Sequence, residues 1–148
     1  MFAVSTLLLS TIVIALAQPA GTDKAAKHLE ILQGKWEMER LEINGKQIGQ
    51  TQIGQTYLNI RKNDYRTTVK GKELAGFRMK LDPTKDPHWV DMVQIQPDGS
   101  EKTLKGIYKL DNDKLWICRA AAPEQERPSQ FATWPDTGYF VVTWRRVK

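Results

Sequence analysis

Hydrophobic and polar residues alternate with a period of two along most of this chain, which marks strands with one buried face. The clearest stretch runs from Thr103 to Cys118. Leu104, Gly106, Tyr108 and Leu110 share one face, Asp111-Asn112-Asp113 supplies turn chemistry, and Leu115 and Ile117 resume that face with Trp116 and Cys118 opposite. A hairpin closed there sets Leu110 beside Leu115 and Tyr108 beside Ile117. A single hairpin leaves that face half covered, so the remaining strands must close around it.

The same period predicts further strands at 34–43, 57–62, 65–70, 73–81, 88–96 and 139–147, eight in all with the hairpin. In the first, the apolar phase slips between Met38 and Leu41, the signature of a bulge or strong bend. Asn44-Gly45, Asn63-Asp64, Gly71 and Pro97-Asp98-Gly99-Ser100 are tight-turn signals, and Asp82 to Pro87 forms a polar connector. Ile-Gly-Gln-Thr occurs at 48–51 and again at 53–56, a duplication confined to one loop. Ahead of the strands, Asp23 can cap a helix over 24–33 that Gly34 ends, with Ala25, Leu29 and Leu32 on one side. Residues 121–138 are long for a hairpin connection and rich in aromatics, so they are expected to pack over the fold.

Short strands joined by turns, without intervening helices, mean an antiparallel sheet. The first expectation is an eight-stranded up-and-down barrel with a short N-terminal helix; a two-sheet sandwich is the second.

Composition adjusts this picture at one end. Residues 1–17 carry no charged side chain, hold an apolar run from Leu7 to Leu16, and finish in Ala15-Leu16-Ala17, a small-x-small cleavage pattern. They are expected to form a secretory signal peptide, leaving 18–148 as one barrel domain in a secreted or periplasmic protein; an uncleaved anchor is the competing reading. Gln18, not a cysteine, directly follows the cleavage pattern, which argues against a lipid-anchored terminus. The net charge of +5 is spread among both signs, giving no nucleic-acid signature. The single cysteine, Cys118, excludes an internal disulfide and is expected to be a buried small hydrophobe.

Catalytic constellations are absent from the pattern. There is no Gly-x-Ser-x-Gly and no phosphate-cradling glycine loop, and His28 and His88 are the only histidines. Asp86, His88 and Asp91 fall short of a metal-ligand spacing, so neither a metal nor another cofactor is expected. Asp91 interrupts an apolar strand; it either points outward or needs Arg78 or Arg119 as a partner. Glu124, Glu126 and Asp136 share one loop, which leaves open a weak hydrolase reading.

Helix, then Leu32-Gln33-Gly34-Lys35-Trp36, then Arg145 and Arg146 in the last strand, together resemble the lipocalins and their calycin relatives. That resemblance implies that Gly34 lets Trp36 cross one barrel end and that Arg145 or Arg146 covers its ring. Glu42-Ile43-Asn44-Gly45-Lys46, Leu81-Asp82-Pro83-Thr84-Lys85, Gly106-Ile107-Tyr108 and Glu126-Arg127-Pro128 narrow the resemblance to an uncharacterised lipocalin-like domain family expanded in planctomycetes and related bacteria. It implies fold and export, and transfers no catalytic residue. The resulting expectation is an exported, non-enzymatic barrel that holds a small apolar or amphipathic ligand against Tyr57, Phe77, Tyr108, Trp116 and Trp134, with Arg127 at the mouth orienting a polar end. The alternative is a barrel with a filled core that serves as a structural or interaction module of the cell envelope.

Overall fold

The computed structural model describes residues 20–148; the expected signal peptide lies outside them. Helix α1 spans Ala20–Leu32 and leads through Gln33 into β1, Gly34–Ile43. A short β2, Lys46–Ile48, and a one-turn α2, Gln50–Ile53, follow. The remaining strands are β3 (Thr56–Arg61), β4 (Asp64–Val69), β5 (Lys72–Asp82), β6 (His88–Ile95), β7 (Glu101–Asp111), β8 (Lys114–Ala120) and β9 (Tyr139–Arg146). Each pairs antiparallel with its neighbour from β3 to β9, and β1 pairs with both β3 and β9. The result is a closed, lipocalin-like eight-stranded barrel, with β2 as a flap along the far half of β1. The sandwich alternative is excluded by the β1–β9 ladder.

The barrel register follows the apolar phase. Leu110 faces Leu115 and Tyr108 faces Ile117. The β1 ladder slips between Met38 and Arg40, so Trp36 and Met38 point inward before the bulge while Leu41 and Ile43 do so after it. Asn44 and Gly45 both take positive φ, 49° and 76°, as the β1–β2 turn requires. The loop duplication at 48–56 did not announce β2 and α2, because its residues have no period long enough to read.

One barrel end is sealed. Gly34, at φ 115°, lets the chain drop directly from helix into strand, a conformation a side chain would strain. Trp36 is fully buried and its Nε1–H donates to the Leu32 carbonyl at 3.0 Å. Arg146 lies with its guanidinium carbon 4.1 Å from the Trp36 ring centre and donates to the Gln33 and Ile31 carbonyls at 2.9 and 2.7 Å. The cation thus covers the indole and also satisfies carbonyls at the helix C-terminus, where positive charge is favoured. Arg145 instead lies outside and pairs with Glu37 at 2.8 Å.

The long connection at 121–138 folds down over the outer face. Phe131 packs on Ile107, Cys118 and Val141, a second apolar cluster outside the barrel. Gln125 Oε1 accepts from the Ala121 and Ala122 amides, and its Nε2 donates to the Thr137 carbonyl, closing the neck of the loop. Thr133 donates to Glu42 from its amide at 3.0 Å and its hydroxyl at 2.8 Å, and the same hydroxyl accepts from Gly45. Burial raises the Glu42 pKa, but the Thr133 bonds and Arg40 outweigh it and hold the carboxyl below its ordinary 4.5. This contribution to stability is therefore present above that value and lost as pH falls through the lower, folded-state pKa. Urea melts from pH 7 down to 3 should show a shallower acid loss in Glu42→Gln than in the parent; parallel curves would disprove the assignment.

Candidate functional site

The end opposite Trp36 stays open. A cavity of about 200 Å³ enters there, between the far half of β1 and the start of β9. Met38 and Trp144 form its floor, Leu41, Phe77 and Val142 its walls, and Leu74 and Phe140 lie toward its rim. Most of this surface is apolar, which follows from the inward phase of each strand.

Polar groups converge on it from three strands. Arg119 enters from β8, in phase with Leu115 and Ile117. Its guanidinium carbon lies 5.6 Å from the Phe77 ring centre and 4.9 Å from that of Phe140. Its one hydrogen bond within the described residues goes from NH1 to the Ala120 carbonyl at 3.1 Å, and no carboxylate lines the cavity. Burial pushes the guanidinium below its ordinary pKa, with nearby Tyr65 opposing that shift. Arginine retains its charge at any physiological pH, so a cation stands unpaired among aromatic rings.

Tyr65 and Thr67 enter from β4. Burial pushes the Tyr65 hydroxyl up to about 12, against the smaller pull of Arg119 and of the polar hydrogens of Thr67 and Trp144, so it stays protonated. Trp144 is 1% exposed, and its Nε1–H, though close enough to act on the Tyr65 hydroxyl, completes no hydrogen bond of ordinary geometry. An amide-like donor left bare in an apolar interior costs roughly 1–3 kcal/mol, which a ligand acceptor can recover.

Of the six residues expected to hold ligand, Phe77 lines this cavity. Tyr108 is inward but belongs to the closed half, where its hydroxyl bonds His28 Nδ1 at 2.7 Å. The other four need correction. Tyr57 lies on the outer face, because Thr56, Leu58 and Ile60 take the inward phase of β3; Lys35 stacks on its ring. Trp116 is likewise outward, opposite Leu115 and Ile117, with Lys109 4.5 Å from its ring centre. Trp134 sits on the long loop, 47% exposed.

Arg127 is not at the mouth. Its NH1 donates to the Gly106 and Val90 carbonyls at 2.6 and 3.1 Å, its NH2 to Asp91 at 2.7 Å, and its guanidinium lies 4.3 Å from the Trp89 ring centre. It rivets the long loop to the outside of β6 and β7. Asp91 accordingly points outward to Arg127; Arg78 pairs with Glu101 instead. The arginine that does occupy the mouth, Arg119, was readable by carrying the Leu115–Ile117 alternation one step further.

Elsewhere the chemistry is sparse. Burial pushes the Cys118 thiol up to about 12, which leaves it unreactive at neutral pH. His28 of α1 and His88 of β6 stack edge to face at 5.2 Å, and burial together with His88 holds His28 below its ordinary pKa. No group of three metal-ligating side chains occurs among the described residues, and no helix among them is long and apolar enough to cross a membrane. Comparison of the chain with family models, curated proteins and solved structures found no match.

Proposed function

We propose that this barrel is an exported, non-enzymatic carrier of a small apolar or amphipathic molecule, kin to the lipocalin-like domains that its sequence resembles. The observation that supports this reading is the open cavity beside Trp144: an apolar wall with a few convergent polar groups is the usual form of a small-molecule site. The sealed end suits the same role, since Trp36, Arg146 and α1 leave entry to the opposite rim. The cavity is small, so the occupant is a short chain or a compact ring, or a longer molecule that projects past Leu74, which is 70% exposed at the rim.

The test is thermal unfolding of the purified mature chain against straight-chain alcohols from hexanol to dodecanol. Binding to the folded state alone adds about 2.7 kcal/mol at a hundredfold excess over Kd. Melting temperature should rise with alcohol length and then level off once the cavity is full. Val142→Trp, which fills the same space, should abolish the rise while retaining a cooperative melt. A parent protein indifferent to the whole series would remove the binding reading and leave the filled-core interaction module.

A further inference from the structure

We infer that the ligand is a carboxylate carried on an apolar tail, bound head-first, with its oxygens between the Arg119 guanidinium and the Trp144 Nε1–H. This deepens the carrier reading and rests on it. Two independent features of the cavity point to an acceptor with negative charge. One is a guanidinium held between Phe77 and Phe140 with no acid beside it. The other is the indole donor of Trp144 on the cavity floor, which reaches toward the Tyr65 hydroxyl but completes no hydrogen bond of ordinary geometry.

Their positions set the direction of entry. Trp144 neighbours Met38 and Leu115 in the sheet, well inside the barrel, whereas Arg119 is level with Phe140 nearer the rim. Tyr65 and Thr67 face the space between them and supply hydroxyls that can donate to the same oxygens. A head placed there converts an unpaired buried cation and an unpaired buried donor into a charge-assisted set. The tail then runs outward along Leu41 and Phe140 and covers the exposed face of Leu74. The opposite pose, tail inward, would leave the Trp144 donor bare and bring the head no second partner.

The guanidinium fork matches a planar carboxylate. A phosphate monoester brings up to two charges to a cavity lined by one cation, so a carboxylate is the preferred head.

The experiment compares decanoate, decanol and decyl phosphate, each below its micelle-forming concentration at neutral pH, on the mature chain and on Arg119→Gln and Trp144→Phe. Calorimetry should give decanoate at least about tenfold tighter than decanol on the parent. Arg119→Gln should erase that ratio, and Trp144→Phe should reduce it. If decanol binds as tightly as decanoate, or the ratio survives in Arg119→Gln, the head-group assignment is overturned and the carrier reading stands. Decyl phosphate binding tighter than decanoate overturns the carboxylate class. Decanol and decanoate both failing on the parent overturns both proposals together.

Discussion

Trp36→Ala should lower the stability of the barrel by about 3–5 kcal/mol, the range for emptying a buried tryptophan site. Trp36 is fully buried at the junction of α1, β1 and β9. Its removal leaves a void, strips the stacking surface from Arg146 and deprives the Leu32 carbonyl of its donor. The helix end then depends on Arg146 and Gln33 alone, the latter through its own Nε2–H to the Leu29 carbonyl at 2.8 Å. Urea denaturation should show the midpoint falling with the slope retained. A loss below about 1 kcal/mol would mean that the sealed end relaxes around the gap, and that Trp36 is not the closure of the barrel.

Arg127→Ala should follow at about 2–4 kcal/mol, because it removes charge-assisted bonds and abandons their partners. Asp91, the Val90 carbonyl and the Gly106 carbonyl would all lose the same donor group. Asp91→Asn should cost less, since both carbonyl bonds survive it. Between the Gln125 bonds at its neck and the Thr133 bonds to Glu42, the long loop is held by Arg127, so limited proteolysis should cut within 121–138 in the variant well before the parent is cut. Ligand affinity measured below the melting range should stay within about twofold. A large loss of binding with an unchanged melt would instead return Arg127 to a ligand-facing role.

The contrast between these two arginines shows how much could be read in the residues. Arg146 over Trp36 was legible as one of two candidates, because both partners lie at strand ends that any closed barrel of this order brings together. Which of Arg145 and Arg146 covers the ring depends on the inward phase of β9, set by Val142 and Trp144 and completed only by the observed register. Arg127 stands out in the sequence, but its partners lie 21, 36 and 37 residues away, and no local period reports them.

The aromatics misled for a related reason. Tyr57 and Trp116 are bulky, and bulk suggested cavity walls; strand phase, which puts them outside, was the better guide. Both spend their outer-face area under lysine side chains, where a ring and an aliphatic stem cover each other. Strand bounds were close throughout, and β1 matched at both ends, since Gly34 and Asn44-Gly45 punctuate it chemically. The helix began earlier than Asp23 suggested, at Ala20, with Asp23 inside its first turn, where a carboxylate is equally favourable.

The most direct test of a ligand site at the open end is the indole N–H resonance of Trp144 during a titration of ¹⁵N-labelled protein spanning residues 18–148 with decanoate. Its peak, assigned by comparison with Trp144→Phe, should shift saturably, together with the amides of Arg119, Phe140 and Leu74, while those around Tyr57 and Trp116 hold still. A Trp144 signal that never moves, or shifts confined to the outer face, would contradict it.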